Sequence, residues 1–211
     1  MLRPYCLRFC LVTCLALPGL AVSVLGQALV RQVNLEELSR HAGVIVHGRI
    51  VEVRAEGHPD YPNVRTLVVA LNVIENVRGA KGKRITFRQY APAARLRSGA
   101  VATPAGKYST AEYQVGQELV LFLYPESQYG LTSPVGAGQG RFRVLRDASG
   151  GALIVNEAGN RGLFENVAAS AKQSGVTLSG AEQRMLARPG SPVELSTFLG
   201  LAKRLGGGGQ P

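Results

Sequence analysis

Arginine is the residue type whose number and spacing in this chain could do chemistry. Arg84 and Arg88 lie in the alternating stretch Arg84-Ile85-Thr86-Phe87-Arg88 and fall on one face of a strand, because side chains alternate along an extended backbone. Arg141 and Arg143 share a face of a second alternating stretch, Arg141 to Leu145, and Arg95 and Arg97 sit between the two. A guanidinium is planar, always charged and shaped to meet phosphate, sulfate or carboxylate with two parallel hydrogen bonds. If the two strands are neighbours, Arg84, Arg88, Arg95, Arg97, Arg141 and Arg143 form one ligand-binding surface for an anion. A solvated exterior is the plain alternative. Tyr90 and Tyr113 flank the intervening stretch, where they would either stack on a ligand or close the edge of the core.

Other chemistries lack their residues. The three histidines, His41, His47 and His58, do not recur at zinc-ligand spacings, and His58-Pro59-Asp60 has no second pair to complete a site. There is no G-x-S-x-G for a strained nucleophile turn, and the 14 acidic residues form no cluster suited to glycoside cleavage. Gly136-x-Gly138-x-Gly140 precedes a strand rather than a helix, so it reads as a β-turn or bulge and not as a phosphate cradle. All three cysteines, Cys6, Cys10 and Cys14, lie at the N-terminus, which leaves residues 27–211 without disulfide, thiol nucleophile or cysteine metal site. No catalytic residue, no cofactor and no metal are expected.

The elements that must position the arginines begin after a leader. Met1 to Arg8 is short and basic, Phe9 to Leu25 is apolar, and Gly26-Gln27-Ala28 offers small residues for cleavage, so residues 1–26 read as a secretory signal peptide. Arg3 and Arg8 are its only charges; without them 22 basic residues face 14 acidic ones, a net charge of +8. The remaining length suits one domain.

Asn34 caps a short helix, NLEELSRHA, with Glu37 three residues on. Val44 to Arg54 alternates but slips parity near Gly48, which predicts a bulge or bend that returns Val44, Val46, Val51 and Val53 to one face. Thr66 to Val77 and Arg84 to Tyr90 are further strands, and Glu118 to Tyr124 is apolar on both parities, as a strand buried on both faces requires. Ala91 to Tyr113 has no period and reads as a long excursion. Arg141 to Leu145 and Ala152 to Val155 pair across the turn Asp147-Ala148-Ser149-Gly150-Gly151. Ser191-Pro192-Val193-Glu194 reads as a helix start.

The resulting expectation is a mainly β protein: a small OB-like closed or partly open barrel over residues 27–157, with the short N-terminal helix, an irregular extension over 158–190, a C-terminal helix over 191–205 and a flexible tail over 206–211.

The strings LEELSRHAGVIVHGRIVEV, VIENVRGAKGKRITFRQY, YQVGQELVLFLYP and VGAGQGRFRV, over residues 34–157, resemble a group of exported bacterial proteins of uncharacterised function. Those motifs are packing and turn residues. The order of elements is more distantly similar to netrin-like modules, including the tissue inhibitors of metalloproteinases. The cysteine on which that inhibition depends has no counterpart in residues 27–211, so the resemblance implies a barrel only.

These readings point to a non-catalytic binding module of the cell envelope, periplasmic or extracellular, with an anionic polymer or an envelope protein as partner. The alternative is a protein-interaction or protease-inhibitor-like module. Nucleic acid is not expected as a physiological partner of an exported chain, and membrane contact is expected only through an uncleaved leader.

Overall fold

The computed structural model describes residues 31–91, 101–102, 108–109 and 112–207. Residues 1–30, on which the expected signal peptide falls, Arg95, Arg97, most of the long excursion and the last four residues lie outside these described residues.

The described chain is mainly β. Helix α1 (Leu35–His41) leads into β1 (Val44–Gly57), β2 (Arg65–Arg78) and β3 (Arg84–Tyr90). Strands β4 (Val101–Ala102) and β5 (Tyr108–Ser109) pair with each other, and β6 (Glu118–Leu123), β7 (Arg141–Arg146) and β8 (Ala152–Asn156) follow. The chain ends with α2 (Val167–Gln173), α3 (Gly180–Leu186), β9 (Val193–Glu194) and α4 (Leu195–Gly207). One antiparallel sheet runs in the order β3-β2-β1-β6-β7-β8-β9. It is not closed into a barrel, which corrects the closed form of the sequence expectation: β3 and β9 remain its two ends.

Strand β1 organises the sheet. It pairs with β2 from Ile45 to Gly57 but with β6 only from Val44 to Arg49, so its two partners part company halfway along. Register shifts fall between Ile45 and Val46, His47 and Gly48, and Ile50 and Glu52. The last changes parity, so that Val46, Ile50 and Val53 all reach the same buried cluster. Gly48 permits the close approach this needs, since a Cβ there would lie 2.7 Å from the Asn72 carbonyl oxygen.

The sheet separates two cores. On one face Ile45, Val120, Phe122, Phe142 and Ile154 pack against the helices. Phe122, Phe142 and Phe198 of α4 meet there at ring separations of 5.0 to 5.9 Å. On the other face Val46 and Val53 of β1, Leu67, Val69 and Leu71 of β2, Phe87, Leu119 and Leu121 form a second cluster closed by Tyr113. Strand β6 contributes to both, and all six of its residues are buried.

The N-terminal cap is present: Asn34 Oδ1 accepts from the Glu37 backbone N–H at 2.9 Å. Glu37 does not complete a capping box but accepts from Arg31 instead. Two expectations for the C-terminal third need correction. Residues 158–190 are not irregular: α2 and α3 lie there and seat Val167, Ala171 and Met185 in the first core. The final helix starts at Leu195 rather than Ser191, because Val193 pairs with Ile154 as an added strand and Glu194 takes over the cap, accepting from the Ser196 and Thr197 N–H groups.

Candidate binding cleft

A flat sheet would hold β3 and β7 about 19 Å apart, four strand spacings, yet side chains of both converge on one carboxylate. Gln89 of β3 and Arg141 of β7 each reach the same oxygen of Glu112, Oε2, at 3.5 Å. Tyr113 donates to Gln89 Oε1 at 3.1 Å, and the Arg141 guanidinium lies over the Tyr113 ring, 5.1 Å from its centre. The edge of β3 is also tied down, because Thr132 N–H donates to the Arg88 carbonyl at 2.8 Å. The sheet therefore curls until its β3 end faces β7 across an open seam.

A cleft of about 550 Å³ occupies that seam. Tyr90, Tyr124, Pro125, Pro134 and Ala137 line it around Arg141. Arg141 is itself buried, at 5% exposure, and is engaged on every side: Glu112 on one edge, Glu157 on another and the Tyr113 ring against its face. Burial pushes the Tyr113 phenol up, so it stays protonated and donates. Glu157, whose side chain is 64% exposed, keeps acceptor capacity open to a ligand. Tyr90 is 56% exposed and presents a ring at the rim.

The Gly136–Gly140 segment forms one wall, as a turn entering β7. Gly136, Ala137 and Gly138 all have positive φ (68°, 54° and 104°). Ala137 thus holds a left-handed conformation that a side chain disfavours. Gln139 anchors the turn to the N-terminal segment, accepting from Val33 N–H at 3.0 Å and donating to the Arg31 carbonyl at 2.9 Å.

The arginines singled out in the sequence are divided. Arg84 and Arg88 do share a face of β3, but it is the face opposite Phe87, where the chain Arg84–Glu52–Arg54–Glu56–Arg88 alternates charge with contacts of 2.6 to 2.7 Å. The hydrogen bond from Arg54 holds the Glu56 carboxyl below its usual range. This ladder covers the buried Val68 and Ala70 of β2. Arg141 faces the seam, and Arg143, exposed on the same strand, makes no ion pair among the described residues. Arg95 and Arg97 lie outside the described residues.

Glu112, Tyr113 and Glu157 carry no joint signal in the sequence, because they come from separated segments and meet only through the curl. The ladder has a signal: Glu52-x-Arg54-x-Glu56 at period two faces arginines spaced for the same side of a strand.

The histidines His47 and His58 are held in hydrogen-bonded positions. His47 Nε2 meets Glu118 at 2.8 Å, and Glu118 also accepts from Arg49 and Arg146. Burial opposes ionisation of Glu118, but its hydrogen bonds from His47 and Arg146 overcome this and hold the carboxyl below its usual range. His58 accepts from the Asp60 backbone N–H at Nδ1 and so donates from Nε2 to the Tyr129 carbonyl at 2.7 Å. Compared with known proteins, the chain matches no family model and no curated protein.

Proposed function

We propose that this chain is an exported, non-catalytic binding module of the cell envelope whose ligand seat is the seam cleft between β3 and β7. One observation carries the reading: a concave site of about 550 Å³ with Arg141 locked between Glu112 and Glu157, and with tyrosine rings at its rim. A pocket of this size with a few converging polar groups is the usual form of a binding site. The fold that goes with it is an OB-like half-barrel opened at the seam, supported by the long bulged β1 shared between β2 and β6. Because the guanidinium already has its carboxylates, the ligand is an envelope polymer or protein segment that donates hydrogen bonds to Glu157 and stacks on Tyr90. An anionic ligand on Arg84 and Arg88 would have to displace Glu52 and Glu56.

The test is retention of envelope extract on the immobilised chain. Material lost with Tyr90→Ala/Glu157→Ala and kept with Arg84→Ala/Arg88→Ala supports the cleft. The reverse pattern restores the arginine face.

A second reading, a protein-interaction or protease-inhibitor-like module, is favoured by one feature. Tyr61 and Tyr129, 49% and 50% exposed, pack edge to face at 5.8 Å on two adjoining loops. Exposed tyrosines of this kind anchor protein interfaces. A stable complex that survives moderate salt and is lost with Tyr61→Ser/Tyr129→Ser would favour it.

A further inference from the structure

A second concavity, of about 380 Å³, lies at the other end of the sheet between α3, β9 and α4. Its apolar lining includes Pro192, Leu153 of β8, Met185 of α3 and Val193 of β9. Arg184 and Arg188 stand beside that lining, both exposed. Most arginines of the described chain are engaged by a carboxylate, and Arg78 by backbone carbonyls. Arg184 and Arg188 make no ion pair among the described residues.

The one acidic residue of the groove does not compete for them. Glu194 accepts from Ser196 N–H and Oγ and from Thr197 N–H at 2.7 to 2.9 Å, so its carboxylate is spent on the first turn of α4. The groove therefore pairs an apolar floor with two uncommitted guanidiniums. Methionine at the floor adds a polarizable side chain that adapts to an aliphatic guest.

We propose that this groove binds a free aliphatic carboxylate, a single acyl chain lying on Leu153, Met185 and Val193 with its carboxylate held by Arg184 and Arg188. Charge complementarity selects the head group, since a guanidinium meets a carboxylate with paired, charge-assisted hydrogen bonds. The volume selects a single small guest, at the lower end of the range of small-molecule pockets.

The test is calorimetric titration of the full chain with decanoate, kept below its micelle threshold, and with the neutral decanamide. The expected result is saturable one-to-one binding of decanoate, at least ten times tighter than that of the amide. Arg184→Gln/Arg188→Gln should erase the preference for the acid while leaving amide binding in place. Ala181→Trp, on an exposed position of α3 at the groove, should block both ligands with the melting temperature unchanged. No binding of decanoate, equal binding of acid and amide, or binding indifferent to both variants would overturn the proposal. So would binding only to phosphatidylglycerol vesicles, which would make a membrane surface the occupant.

Discussion

Replacing Arg78 by methionine should cost about 3 kcal/mol of folding stability, and the structure gives the reasons for both the size and the sign. Arg78 ends β2, and its guanidinium donates to the Ser39 and Ala42 carbonyls at the end of α1 and to the Gly206 carbonyl of the last turn of α4 at 2.8 Å. Helix ends leave such carbonyls without partners and carry partial negative charge, so one cation closes two helices at once. Each hydrogen bond to a charged group is worth roughly 1.5–3 kcal/mol. Against that stands the desolvation of a guanidinium, which also draws its pKa below the ordinary arginine value. Its Nε is buried with no hydrogen-bond partner, a further offset. The balance is about 3 kcal/mol, or a melting temperature lower by roughly 6–12 °C for a domain of this size. Arg78→Lys should recover only part of it, because one ammonium cannot span three carbonyls. Urea denaturation measures the loss, with the slope unchanged if the variant stays two-state. A loss below about 1 kcal/mol for Arg78→Met would refute the claim that this residue pins α1 and α4 to the sheet.

Three further outcomes follow from individual residues. Asn160→Ala should destabilise by about 3 kcal/mol in thermal melts: Asn160 is fully buried at φ 60°, exchanges hydrogen bonds with Asn156 at 2.8 and 2.9 Å and donates to the Ile154 and Ser191 carbonyls, so alanine leaves partners unpaired in a strained backbone. Glu194 has its pKa lowered to about 2 from 4.5, burial being outweighed by hydrogen bonds from Thr197 and Ser196. Its folded pKa is below the unfolded one, so its contribution is fully present above pH 4.5 and is lost as pH falls toward 2. For a solvent-exposed cap that contribution is about 1 kcal/mol, and Glu194→Gln should flatten the acid limb of stability by that amount. Arg84→Ala/Arg88→Ala should cost about 1 kcal/mol in denaturant titrations despite removing two ion pairs of 2.6 to 2.7 Å and the 3.1 Å hydrogen bond to Thr66, because both ion pairs lie in a ladder open to solvent.

Much of the sheet is legible in the sequence, because period-two alternation directly encodes which face is buried. The parity slip in Val44–Arg54 announces a bulge in β1, although the change of parity falls at Val51 rather than Gly48 and leaves Val51 out of the shared cluster; the two-sided apolar run of β6 announces burial on both faces. The curl is not legible, since it depends on how far β1 pairs with each neighbour, and the seam site follows from the curl. The C-terminal third misleads for two local reasons. Ser179 and Glu182 form a capping box that the sequence displays, but the seven-residue helix behind it is too short to show a period. Ser191-Pro192-Val193-Glu194 has the residues of a helix start, yet long-range pairing of Val193 with Ile154 outweighs that local preference.

The most direct test of the central claim is the affinity of envelope ligand for Tyr90→Ala/Glu157→Ala against Arg84→Ala/Arg88→Ala, measured on the same retained material at fixed salt. Tyr90, Glu157 and Arg84 are exposed and Arg88 is half-buried in a ladder open to solvent, so a melting curve recorded for each variant confirms that the fold is kept. The seam account predicts at least a tenfold loss for the first variant and no change for the second. Loss confined to the Arg84/Arg88 variant would contradict it and return the ligand to the outer face of β3.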